Sequence, residues 1–356
     1  RRINNMAFLS HSLRRILIRS TNWIGDAVMT TPAVRSIRQC FPEAEITLLA
    51  LPWVADVFRA SPRVDRILPY ERNGRHAGLR GKFVLAAELK RERFDAAILL
   101  QNAFEAAFIT LLAGIPVRAG YTSDGRGLLL THGVKRTAEI KVVHQVHYYQ
   151  EMVRGLGCES GPDDLELVVP PEGDAWAADF LRTEIPAGGK IIGLNPGASY
   201  GPAKRWPADK FSALAARLQE FSDTVLLVFG TDADRSAATE IISACGDRCR
   251  VRDLTGRTSL AQAMGLISRC HAFVTNDSGL MHVAAALDTP TVAIFGSTNP
   301  VTTGPFSSRA TVVRTDLACS PCLETHCPKK HFQCMEDIAV ADVFHAVQHN
   351  LAGQVD

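Results

Sequence analysis

The strongest constraint on this chain is a repeated alternation. Short, almost uninterrupted apolar runs are each followed by a segment with helical spacing. "RRILIRS" (14–20), "EITLLAL" (45–51) and "DAAILLQ" (95–101) set the pattern in the first half. "KIIGLNPG" (190–197), "TVLLVFG" (224–230), "HAFVTND" (271–277) and "PTVAIFG" (290–296) repeat it in the second. Runs this short and this apolar read as strands buried on both faces. Weaker strands are expected over 64–70, 117–123, 250–256 and 310–315. Helices are expected over 26–40, 53–61, 78–94, 103–114 and 144–157, then over 207–221, 233–246, 259–270, 279–288 and 336–353. Strands alternating with helices imply α/β units with parallel sheets covered on both faces.

The alternation is interrupted once, by the polar, acidic, Pro-rich stretch "ESGPDDLELVVPPEGD" (159–174), which reads as a linker. Two domains are the default for 356 residues. The expected division is 1–165, 166–335 and a final amphipathic helix within 336–356. A chain 46% hydrophobic and 21% charged can bury ordinary cores.

The small net charge of +2 hides an asymmetry. Residues 1–155 carry 23 basic against 13 acidic side chains, and residues 156–356 carry 16 against 24. A basic half favours an anionic ligand, an anionic membrane surface or nucleic acid, although it can also be a solvated surface. Nothing resembles a helix-turn-helix or an aromatic-basic stripe, so nucleic acid is not expected as a partner. No apolar stretch reaches the ~20 residues that span a bilayer. The basic start, "RRINNMAFLSHSLRRILIRS", lacks a signal peptide's long apolar region, and Met6 could be the natural start. The chain therefore reads as cytoplasmic, and its scattered Cys40, Cys158, Cys245, Cys249 and Cys270 as buried thiols.

There is no G-x-G-x-x-G after the first strand, since "GRGLLL" (125–130) lacks the last glycine, and no G-x-x-x-x-G-K-[ST]. Dinucleotide enzymes and P-loop NTPases both lose ground.

The candidate chemistry lies where strands end, the usual ligand edge of such sheets. In "STNWIGDAVM" (20–29), Asp26 reads as the cap of a helix or as a carboxylate aimed at a substrate. Asn22, Trp23 and Gly25 precede it; Trp23 could pack on a ligand and Gly25 lets one approach. "NPGASYGPAKRWP" (195–207) offers small residues, the Ser199 and Tyr200 hydroxyls, Gly201 and the charge of Lys204, a set suited to a diphosphate. In "TNDSGLMHVAAAL" (275–287), Asp277, Ser278 and Gly279 open a helix whose amides suit an anion, with His282 one turn in. Asp232-x-Asp234 can hold a metal in some glycosyltransferases, but here it reads better as a helix cap, with Asp232 free to reach a ribose. "CSPCLETHCPKKHFQC" (319–334) has zinc-ligand composition, yet its spacings match no common structural zinc pattern. Reduced thiols or a disulfide suit it better, and no metal site is expected.

"NWIGDAVMTTPA", "NPGASYGPAKRWP" and "NDSGLMHVAAALDTPTVAIFG" together resemble the ADP-heptose:lipopolysaccharide heptosyltransferases, from about residue 14 to 350. The first two stretches, with "CSPC" and "CPKKHFQCMEDI", are most similar to the type II members, which add the second inner-core heptose. The resemblance implies a GT-B fold: two Rossmann-like domains facing a cleft, the first taking a lipid-linked acceptor and the second the ADP-sugar. A last helix would return to the first domain. The donor would be ADP-heptose. The acceptor would be an anionic heptosyl-Kdo–lipid A at the inner face of the inner membrane, which the basic first half suits. Carried over by position, Asp26 matches the catalytic base and Lys204 the cation on the leaving diphosphate, with Ser199 beside it. Asp277, Ser278, Gly279 and His282 match the donor loop, and Asp232 an acidic ribose contact. The resemblance implies no metal and no cofactor, and Asn276 departs from the family pattern without an expected effect. A type I or III heptosyltransferase, a non-hydrolysing sugar-nucleotide epimerase and a non-catalytic nucleotide-sugar-binding protein remain alternatives.

Overall fold

The computed structural model describes residues 13–185, 188–221, 223–246 and 250–352. They form two compact units, divided between Val168 and Val169. The first is built on β1 (Arg15–Arg19), β2 (Glu45–Ala50), β3 (Arg66–Pro69), β4 (Ala96–Leu99), β5 (Val117–Tyr121) and β6 (His132–Val134). They lie in the order β3-β2-β1-β4-β5-β6, every neighbouring pair parallel. Ile16, Leu17 and Ile18 are consecutive and all fully buried. Successive strand side chains face opposite ways, so both faces of the sheet must be covered. The chain leaves β1 towards β2 and β3 and returns on its other side at β4, which makes the gap between β1 and β4 the switch point.

The second unit repeats the plan with β7 (Lys190–Asn195), β8 (Thr224–Val228), β9 (Val251–Asp253), β10 (Ala272–Asn276), β11 (Thr291–Phe295) and β12 (Ala310–Arg314). Their order is β12-β11-β10-β7-β8-β9, again all parallel, with the switch point between β7 and β10. Trp206, Phe211 and Leu214 cover one face together with the last helix, Val340–Ala352. Val343, Phe344 and Val347 of that helix are buried in the core of this second unit, and Phe344 stacks on Phe221 at 6.1 Å.

Four local features differ from the sequence reading. The helix expected over 26–40 is two helices, Ile24–Met29 and Thr31–Cys40, joined at Thr30. Pro32 has no N–H to continue the ladder. The Thr31 hydroxyl donates to the Val28 carbonyl at 2.8 Å instead, and the Thr30 hydroxyl to that of Ala27 at 2.7 Å. The linker is shorter than expected, because Pro171–Glu184 is a helix. That helix packs through small residues: a Cβ on Gly173 would stand 2.3 Å from the Ala261 carbonyl oxygen, and one on Gly265 2.8 Å from Ala177 Cβ. Cys40 and Cys158, expected as separate thiols, form a disulfide. The edge strand β6 has no counterpart in the sequence reading. The connection before Pro171 is pinned to the first unit, where Glu166 pairs with Arg63 at 2.9 Å and Arg35 at 3.3 Å.

Candidate functional site

In the second unit the expected residues gather at the carboxyl ends of β7 and β10. The chain leaves β7 through residues 196–201 and a single 3₁₀ turn, Pro202–Lys204. The turn brings Lys204 Nζ within 2.6 Å of Asp277 Oδ2, with the Lys204 side chain 14% and the Asp277 side chain 5% exposed. The same ammonium lies 4.6 Å from the centre of the Tyr200 ring, whose hydroxyl donates to the Leu323 carbonyl at 2.8 Å. Ser199 is exposed beside Tyr200. Gly201 has a backbone that side chains rarely adopt (φ +154), and a Cβ there would stand 2.4 Å from the Thr325 carbonyl oxygen.

Across the switch point, Ser278 caps the helix Gly279–Ala286 by accepting from the Met281 amide at 3.3 Å. With the cap supplied by Ser278, the Asp277 carboxylate turns elsewhere. Thr298 donates to Asp277 Oδ2 at 2.6 Å, the oxygen that also meets Lys204. His282 is buried one turn into the helix, on the Ser278 side. The first-turn amides and the positive end of this helix suit an anion.

Two asparagines to which the sequence reading gives no role hold this arrangement. Asn276, fully buried, donates to the Pro196 carbonyl at 2.7 Å and accepts from the Trp206 amide at 3.0 Å. It therefore fastens both ends of the loop that carries Lys204 to the end of β10. Asn195 donates to Thr275 Oγ1 at 2.9 Å and to Ser278 Oγ at 2.8 Å. Their signal is present in "LNP" and "TND", but only the pairing of β7 with β10 shows what they reach.

The Asp232-x-Asp234 pair divides. Asp234 forms a capping box with Thr231 and its carboxylate packs on Gly197, where a Cβ would approach within 2.6 Å. Asp232 is 79% exposed and pairs with Arg235 at 2.5 Å. The carboxylates serve different partners, in line with the cap reading.

In the first unit Asp26 follows β1. It is the third residue of the helix Ile24–Met29, so it is not the cap; Trp23 is, and its side chain makes no capping bond. The Asp26 carboxylate stands instead in the first turn, where the helix dipole favours a negative charge. It is half-buried, and its charge reaches Tyr149, whose phenol is pushed well above its ordinary value first by burial and then by Asp26. Gly25 is buried beside it in the chain, and Trp23 is 60% exposed. Asn22 accepts from the buried Arg19 guanidinium at 2.8 Å, while its carbonyl accepts from Trp53 Nε1 at 3.2 Å. Burial lowers Arg19 to about 10, so it stays cationic at neutral pH. Arg126, also fully buried, donates to the Tyr121 carbonyl at 2.9 Å and to Asn102 Oδ1 at 3.0 Å, holding the loop after β4.

Cys319, Cys322, Cys327 and Cys334 are free thiols that, with His331, line one small cavity. Among the described residues no group of three His, Cys, Asp or Glu side chains is placed to hold a metal ion. Cys249 lies outside the described residues.

Two tandem doubly wound units, each with polar loops at its switch point, define the class: an α/β protein of GT-B architecture. The family model of glycosyltransferase family 9 (heptosyltransferase) matches residues 83–333, and the chain belongs to this family. It is 34% identical over 311 residues to lipopolysaccharide heptosyltransferase 2 of Salmonella typhimurium, covering 84% of this chain and 88% of that one. To the Escherichia coli heptosyltransferase 2 it is 33% identical over 317 residues, with the same coverage. The solved structure of E. coli ADP-heptose lps heptosyltransferase II matches with a TM-score of 0.81 at 30% identity, over 96% of this chain and 100% of that chain.

Proposed function

We propose that this glycosyltransferase moves L-glycero-D-manno-heptose from ADP-heptose to the first heptose of heptosyl-Kdo2-lipid A, with inversion. The observation that carries the reading is the Lys204–Asp277 pair at the switch point of the second unit, in a chain similar along most of its length to type 2 heptosyltransferases. As the bond from C1 to the diphosphate breaks, negative charge grows on the departing ADP. Lys204 has three N–H donors, so it can keep Asp277 and still reach a phosphate oxygen. The amides of the 197–201 loop and of the helix beginning at Gly279 add dipoles directed at the same charge. Ser199, Tyr200 and Gly201 line the diphosphate, His282 donates to it or to the sugar, and Asp232 reaches the ribose.

Asp26 is the base. It takes the proton from an acceptor heptose hydroxyl as that oxygen attacks C1. Asn22, Trp23 and Gly25 shape the acceptor side. One displacement inverts the anomeric configuration. Within this reading Lys204 and the helix dipole supply the charge, and neither metal nor cofactor is required. The enzyme works in the cytoplasm, peripheral to the inner membrane whose lipid carries the acceptor. No described helix is long and apolar enough to cross a membrane.

The test is a mass measurement on products made from ADP-heptose and defined truncated acceptors. A gain of one heptose on the mono-heptosylated acceptor, and none on the heptose-free or the di-heptosylated one, is the expected result. Transfer to either of the latter instead would replace this reading with a type I or type III assignment.

A further inference from the structure

We propose that the carboxyl edge of the first sheet is a docking surface for an anionic lipid bilayer. The inference rests on the reading above, in which the acceptor is lipid-linked, and gives that contact its residues. Most of the large exposed apolar side chains of the first unit gather in one place. Trp53 (47% exposed) follows β2, Leu79 (64%) and Phe83 (51%) follow β3, Phe104 (49%) follows β4 and Leu128 (98%) follows β5. These strands are all parallel, so these connections leave one edge of the sheet. It is the edge that Asp26 also occupies, after β1. Val84, Leu111, Val142 and Val168 are exposed in the unit as well.

One ion pair brings two of these connections together. Lys82 in the helix Gly78–Glu92 meets Glu105 in the helix Phe104–Leu112 at 2.7 Å. Phe83 and Phe104 are the chain neighbours of that pair, and Phe104 stacks on Phe108 at 6.1 Å. Leu79 and Phe83 are four residues apart and share a helix face. Scattered surface apolar groups need no explanation, but a patch gathered on one edge marks an interaction site.

Charge selects the occupant. Arg72 and Arg80 are exposed within this rim, and residues 71–83, from the end of β3 to the second turn of the helix, carry four basic side chains against one acidic. Aromatic rings flanked by Arg and Lys match the headgroup boundary of an anionic leaflet, where each basic side chain adds attraction. A second copy of this chain would bring the same excess of positive charge to an isologous contact, which opposes association.

The experiment is co-sedimentation of the full chain with vesicles of phosphatidylethanolamine and phosphatidylglycerol, and with vesicles of phosphatidylcholine alone. The wild type should sediment with the first, less with the second, and less as salt rises. Leu79→Asp/Phe83→Asp should lose about tenfold or more of the bound fraction, and Arg72→Glu/Arg80→Glu should lose the preference for the anionic lipid. Both variants should bind ADP as the wild type does, and should transfer to a water-soluble acceptor saccharide at the wild-type rate but poorly to a vesicle-embedded acceptor. Equal sedimentation of Leu79→Asp/Phe83→Asp and wild type overturns the proposal. So does a wild type that ignores both vesicles, or that sediments as a dimer which these substitutions dissociate. Vesicle binding that depends on these residues, with no heptose transfer to any acceptor, would instead sink the proposed function and leave the docking surface standing.

Discussion

The two switch points of this molecule are held by different chemistry. In the first unit the loops beside β1 and β4 are tied by buried arginines: Arg19 bonds Asn22, and Arg126 bonds Tyr121 and Asn102. In the second unit the loops beside β7 and β10 are tied by neutral asparagines, Asn195 and Asn276. A guanidinium clamp adds fixed positive charge beneath an exposed rim. An amide clamp adds none, so the ammonium of Lys204 meets the buried Asp277 carboxylate without a competing cation in the clamp. The first arrangement suits a large anionic partner. The second suits one compact anion placed where a single cation can be shared.

The largest effect should come from removing the carboxylate proposed as proton acceptor at the first switch point. Asp26→Ala should cut turnover by about 10²- to 10⁴-fold while calorimetric titration still shows ADP-heptose binding. A near-normal turnover number would remove Asp26 from the chemistry. Lys204→Ala attacks the other switch point. Losing one electrostatic stabiliser of a leaving group costs about 10²- to 10³-fold, and here binding of ADP itself should weaken as well, because the proposal has the cation act on the diphosphate. An intact ADP affinity would mean that the anion is held by the amides alone.

A smaller effect tests the clamp rather than the cation. Asn276→Ala leaves the Trp206 amide and the Pro196 carbonyl without their partner. The cost is about 2 kcal/mol, a drop of roughly 4–8 °C in the melting temperature of a unit this size. The donor KM should rise more than kcat falls, since the loop and not the reacting atoms is disturbed. An unchanged melt would show that the loop is fastened elsewhere. The smallest effect separates the units by acid. The hydrogen bond from Arg66 holds Glu92, in the first unit, below its ordinary value. Its ionised form therefore stabilises the native state above the unfolded value of about 4.3, and that contribution is lost as the pH falls through the lowered native value. Partial exposure keeps it under about 1 kcal/mol. Wild type should lose more stability than Glu92→Gln between about pH 5 and pH 3 in urea melts read on the first unit; equal losses would discount the pair.

Much of the architecture is legible in the sequence, for a reason particular to parallel sheets. "RILIR" and "TVLLV" lie in strands buried on both faces, so their apolar runs survive any change of register. The helix Pro171–Glu184 is hidden for the opposite reason. It buries Gly173 and Ala177 rather than a stripe of large apolar residues, so its acidic sequence looks like linker. The break at Thr30 depends on which hydroxyl replaces the amide missing at Pro32. The candidate site is readable where a residue carries charge or opens a helix, as with Lys204, Asp277 and Ser278. It is unreadable at Asn195, Asn276 and Arg126, whose roles depend on distant partners. Arg126 reaches a loop 24 residues earlier, and Asn276 a carbonyl 80 residues away.

Sequence alone thus determined two α/β units and the residue types at their strand ends, because burial and turn chemistry are local demands that a short segment must satisfy by itself. Tertiary structure decided which polar side chains stand together. It moved Asp26 from the cap into the first turn, brought Lys204 onto Asp277 and placed the exposed apolar side chains of four separate connections on one edge. Those outcomes depend on strand order, and strand order is set by which sheet edges and helix faces pack together across the whole unit.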